Sequence, residues 1–170
     1  MTIPQELYEL SSRDPDGSIW KGARREILTG LGDSTGLVAY QLLPEQSGAL
    51  IINNLLAGAL YTLPTPVAGM WFEFWTQLAC TTNEYKVITK TITSEFILGS
   101  VVATHATVGS SGTTYPSVVA TANVSHNQNG TTTGGVPGDQ LILTAISSTL
   151  WMARGWSVQS GSTGDPWSTS

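Results

Sequence analysis

The chain has 170 residues, enough for one domain with a real core and too few for two comfortable ones. Only 11% of those residues are charged, against about 25% in an ordinary soluble domain, and the net charge is -5. Seven Lys and Arg cannot build a broad basic face to neutralise phosphates, which argues against nucleic acid as a partner. No apolar run is long enough to span a bilayer, so no membrane partner is expected. The lone Cys80 cannot form an intrachain disulfide and no basic-then-apolar leader pattern occurs, so synthesis in a reducing cytoplasm is expected.

Residues 1–35 hold six of the twelve carboxylates and four of the seven cations, without a sustained apolar period. Thr2 to Leu7 suits a short capped helix, and Arg13-Asp14-Pro15-Asp16-Gly17 is turn chemistry. Spaced apolar residues follow, among them Trp20, Ile27, Leu28 and Leu31. The stretch reads as an extended N-terminal arm whose apolar groups dock on something. The alternatives are a disordered tail or a flap folded on its own domain.

From Gly36 onward the signals are those of strands. Leu37–Leu43 and Ala49–Asn53 flank a Pro-Glu-Gln-Ser-Gly turn, and Ala59–Leu63 leads through a Pro-rich step into Met70–Leu78. That last strand carries Trp71 and Trp75 in phase on one face, with Phe72 and Phe74 on the other. Large rings on both faces require both to be covered, by the chain itself or by a partner. Tyr85–Thr93 alternates, and Phe96–Val108 is interrupted by Gly99, which suggests a bulge or bend. Val118–Ser125, Gln140–Ile146 and Thr149–Val158 complete the series. Many short strands without a long amphipathic helix predict an all-β fold, an antiparallel sandwich or barrel with a jelly-roll order among the alternatives. The domain is expected to span residues 36–160, followed by a Ser/Thr/Gly-rich flexible tail, residues 161–170, that orders only if Trp167 docks on a neighbour.

Catalytic chemistry is poorly supplied. His105 and His126 are the two histidines; Asp139 is a conceivable partner for His126, but no nucleophile-elbow pattern accompanies them. Two histidines and one cysteine do not make a structural zinc site. A calcium loop counted from Asp14 fails at its sixth and twelfth positions, where Ile19 and Arg25 stand. Gly30 to Gly36 has the wrong spacing and context for a dinucleotide loop. Neither an enzyme nor a cofactor is expected. Six tryptophans invite a sugar-stacking reading, yet Trp151 and Trp156 fall on opposite strand faces and no acid or amide cluster is evident beside them. A core or subunit interface is the stronger reading of these rings.

The ordered series Leu42 to Asn53, Tyr61 to Met70, Asn83 to Thr89, Phe96 to Ser100, Asn129 to Gly135 and Gly138 to Ser147 resembles decoration (cement) proteins of tailed-bacteriophage heads and related phage virion proteins. The likeness covers about residues 36–160, and residues 1–35 match no motif of such proteins. It implies a structural protein on the outer surface of a capsid, with the major capsid protein and its own copies, as a trimer, for partners. In that setting Trp20, Ile27 and Leu28 are the expected capsid anchors of the arm, and Trp71 and Trp75 the expected subunit interface. The alternative is a tail- or head-fibre module that holds host-surface glycans on its aromatic rings.

Overall fold

The structure, a computed structural model, describes residues 25–32, 35, 38–119 and 121–170. Its strands are β1 (Ile27–Thr29), β2 (Ala39–Gln41), β3 (Leu50–Asn53), β4 (Ala59–Thr62), β5 (Trp71–Thr76), β6 (Tyr85–Ile88), β7 (Phe96–His105), β8 (Thr113–Ser117), β9 (Ser125–Gln128), β10 (Gln140–Ala145), β11 (Leu150–Gln159) and β12 (Trp167–Ser168). A single 3-10 turn at Pro44–Gln46 is the helical element among the described residues. Two sheets result, ordered β1-β3-β5-β10-β11-β7-β8 and β12-β9-β6-β4-β2, and they pack as an all-β sandwich.

The first six strands alternate between the two sheets, so that neighbours within a sheet are one full turn of chain apart and run parallel. Ile27 pairs with Leu50 and Leu50 with Glu73, so on the larger sheet each turn of this coil takes 23 residues. The sheets are therefore mixed rather than antiparallel. Later strands close the sandwich: β10 and β11 pair antiparallel, β10 seals the edge of β5, and β7 lies parallel to β11. Gly58 turns one corner of the coil at φ +84, and a side chain there would meet the Glu84 backbone at 2.4 Å. Only glycine fits such a contact.

Alternation along each strand sends one set of side chains into a shared core. Leu42, Ile51, Tyr61, Leu63, Phe72, Ile97, Leu143 and Trp151 are fully enclosed there. Tyr61 of one sheet meets Phe74 of the other with ring centroids 5.4 Å apart, and Phe72 lies 6.0 Å from Trp151. Each such ring, taken out of water, contributes about 1.5–3 kcal/mol.

Several expectations change. Gly99 does not interrupt its strand: β7 runs on through it, because the missing side chain admits Ala153 O, 1.9 Å from where a Cβ would stand. The strand expected at Val118–Ser125 is not found among the described residues: β8 ends at Ser117, β9 begins at Ser125, and between them Ala122 N–H bonds to Val119 O. Val118 and Val119 are β-branched but face solvent. The boundary expected at residue 35 falls inside the fold, since β1 is an edge strand of the larger sheet. Residues 161–170 are not a loose tail either. Trp167 is buried, pairs through β12 with β9, stacks edge-on against His126 at 4.9 Å and donates its indole N–H to Tyr115 O. It docks on its own domain.

Candidate functional site

The pleat that buries Phe72, Phe74 and Thr76 turns Trp71, Glu73 and Trp75 to the opposite side of β5. Sheet register extends these into rows across the outer face of the seven-stranded sheet. One row runs Ile52, Trp75, Gln140, Trp156, Val102; the next runs Ile27, Leu50, Glu73, Ile142, Arg154, Ser100; a third runs Trp71, Thr144, Met152, Leu98. Trp75 is 44% exposed and Trp156 49%. They stand on either side of Gln140, two strand spacings apart, or about 10 Å.

A charged clamp fixes one end of this face. Arg25 donates from Nε to Gly48 O at 2.9 Å and from a terminal nitrogen to Ala49 O at 3.1 Å, while its other terminal nitrogen forms an ion pair with Glu73. Its guanidinium lies 4.4 Å above the Trp71 ring, a cation–π contact. Glu73 also accepts from Trp75 Nε1 at 2.5 Å and from Gln140 Nε2. Burial pushes the Glu73 carboxyl up, but the hydrogen bonds from Trp75, Arg25 and Gln140 and the Arg25 charge outweigh it and hold the group below its ordinary value. It is ionised and fully engaged at neutral pH.

Of the residues picked out by sequence, Trp71 and Trp75 do share a face, but Trp71 is half-buried beneath Arg25 while Trp75 stands open. Ile27 is 61% exposed at the sheet edge, and Leu28, its neighbour, packs on the chain's own core. Trp20 lies outside the described residues. Trp156 does point away from Trp151, as alternation requires, and that places it in the same row as Trp75 with Gln140 between them. An acid and an amide do adjoin the open rings: Glu73 accepts from Trp75 and from Gln140, which stands between Trp75 and Trp156, with Arg154 one row away. Glu73 shares β5 with Trp75 and Arg154 shares β11 with Trp156, whereas Gln140 comes from β10 and Arg25 from the flank of β1, and no sequence signal gives the register that assembles them.

The other chemical candidates are occupied internally. Asp139 is buried; it accepts from Gln128 Nε2, Gly135 N and Val158 N, and burial pushes its carboxyl up to about 6. His126 is enclosed against Trp167, which drives its imidazole down to about 3 and keeps it neutral. No hydrogen bond joins the two. Cys80 is buried with its thiol on Gln128 O, and burial raises its pKa. Among the described residues no group of three His, Cys, Asp or Glu side chains is arranged to hold a metal, and no helix is long and apolar enough to cross a membrane. On the five-stranded sheet a recess of about 490 Å³ is lined by Leu60, Thr81, Thr82, Asn83, Glu84, Lys86 and Asn129, without an aromatic ring.

No protein-family model, curated protein or solved structure matches the chain.

Proposed function

We propose that this chain is a structural protein that binds the outer surface of a phage capsid and stabilises it, acting as a trimer at three-fold positions and bearing no enzymatic activity. What supports this is the resemblance of residues 36–160 together with one observation: indole and aliphatic groups stand open on a rigid sheet. Ile27 and Leu50 stand in one row and Ile52 and Trp75 in the next, so apolar groups of two neighbouring rows adjoin where β1, β3 and β5 meet. Exposed rings held by neighbouring hydrogen bonds lose little freedom on docking, and this is why tryptophan dominates the centres of interfaces. Three copies closing a ring on the shell would bind by avidity, the second and third contacts being intramolecular.

The reading predicts that purified chain co-sediments with expanded heads and sits at three-fold positions in a particle reconstruction. Ile27→Asp combined with Trp75→Ala should abolish co-sedimentation while leaving the chain folded; undiminished binding by that variant would refute the assigned surface.

A second reading, a module that holds host-surface glycans, is favoured by a separate feature of the same sheet. Trp75 and Trp156 flank Gln140, with Glu73 and Arg154 one row away, an arrangement of flat rings and polar groups that suits a saccharide.

A further inference from the structure

We infer that the groove beside Trp156 is a subsite for a carboxylate-bearing sugar, such as a uronic acid unit of a surface polysaccharide. The inference rests on the glycan reading and adds the charge of the ligand. Gln140, Ile142, Arg154, Gly155 and Trp156 line a groove of about 370 Å³ on the outer face of β10 and β11. The two arginines of this face differ. Arg25 spends its donors on Glu73, Gly48 and Ala49, whereas the exposed Arg154 side chain has no hydrogen-bond or ion-pair partner among the described residues. The one carboxylate in its row, Glu73, lies two strands away and is saturated by Arg25, Trp75 and Gln140. Arg154 is an open positive charge on a chain of net charge -5.

The neighbours of that charge define what it would hold. Trp156 donates its indole N–H to Gly138 O at 3.0 Å, which anchors the ring while half its surface remains open. A fixed indole face takes the C–H side of a pyranose. The planar guanidinium fork matches a carboxylate with two parallel hydrogen bonds. Ser100, paired with Arg154 on the far side, places a hydroxyl in the same row. A second copy docked face to face about a two-fold axis through this groove would bring Arg154 towards Arg154 with no free carboxylate on the strands of the sheet to compensate. The charge pattern favours an anionic ligand over that self-contact.

The test is binding of the full chain to an array of uronic-acid, sialic-acid and neutral hexose oligosaccharides, followed by titration of tri-galacturonic acid with tryptophan fluorescence. Binding confined to the carboxylated glycans is expected. Trp156→Ala should abolish it, Arg154→Gln should weaken it about tenfold or more, and Arg154→Lys should recover part of the loss. No binding to any glycan would overturn both the glycan reading and the subsite. Neutral sugars bound equally well, with Arg154→Gln without effect, would overturn the subsite alone. A change in sedimentation coefficient caused by Trp156→Ala or Arg154→Gln would mark the groove as a chain–chain contact and also overturn it.

Discussion

The two faces of β5 carry the same kind of side chain to opposite ends. Phe72 and Phe74 point inward and are sealed by Trp151 and Tyr61 of the same chain. Trp71 and Trp75 point outward, where Arg25 covers the first while the second keeps 44% of its surface open. One strand therefore serves two solvents. The inward rings account for stability, and the outward ones are free to account for function.

That contrast is easiest to break from the inside. Phe72→Ala should cost about 3–5 kcal/mol, because the lost ring leaves a cavity against Trp151 that the sandwich cannot close. Chemical denaturation followed by circular dichroism measures it, and a cost below about 1 kcal/mol would show that the inner face is loosely packed.

Acid should probe the same interior through two buried groups of opposite sign. His126, neutral in the fold with its pKa lowered to about 3, contributes stability that is complete above the unfolded value near 6.5 and is lost as pH falls towards 3. Asp139, raised to about 6, favours the fold most below its unfolded value near 3.8, and that contribution is lost as pH rises through 6. Between about pH 6 and 4 the two slopes oppose. The urea midpoint should stay nearly level across that window and drop below it. His126→Phe removes one slope, so its midpoint should climb as pH falls from 6 to 4; a midpoint that falls in step with the parent would contradict the assignment.

The outer face should respond differently. Glu73→Gln removes the carboxylate that Arg25, Trp75 and Gln140 share and should cost roughly 1–2 kcal/mol, moderated because Arg25 is part-exposed to water. The same change should free the Trp75 ring, readable as lower fluorescence anisotropy. Trp75→Ala should cost under about 1 kcal/mol in stability yet remove docking. Smallest of all, Lys86→Ala on the outer face of the five-stranded sheet should leave stability within about 0.5 kcal/mol and docking unchanged. An equal loss of docking from Lys86→Ala would erase the distinction between the two sheets.

Alternation made the strands legible. Ala59–Thr62, Trp71–Thr76 and Gln140–Ala145 fall within the expected segments, Leu150–Gln159 overruns its own by one residue, and Trp71 and Trp75 share a face as their spacing requires. The coil is not legible in the sequence, because its neighbours sit 23 residues apart on the larger sheet and parallel pairing leaves no hairpin turn to announce it. Val118 and Val119 misled by being β-branched between β8 and β9. The Ser- and Gly-rich surroundings of Trp167 mark a flexible tail unless that indole docks, and it does dock, on its own domain, anchoring two residues of strand. Half of the candidate site escaped for one physical reason. Arg25, Glu73, Gln140, Arg154 and Trp156 belong to four strands or their flanks, and only register brings them together.

The most direct measurement is hydroxyl-radical footprinting of the indoles, read by mass spectrometry, on the free chain and on the chain bound to purified expanded heads. Trp75 should oxidise readily when free and be strongly protected when bound, while enclosed Trp151 stays inert in both states. Equal oxidation of Trp75 in the two states, with the chain demonstrably bound, would contradict the claim that the outer face of the seven-stranded sheet is where this protein makes its contacts.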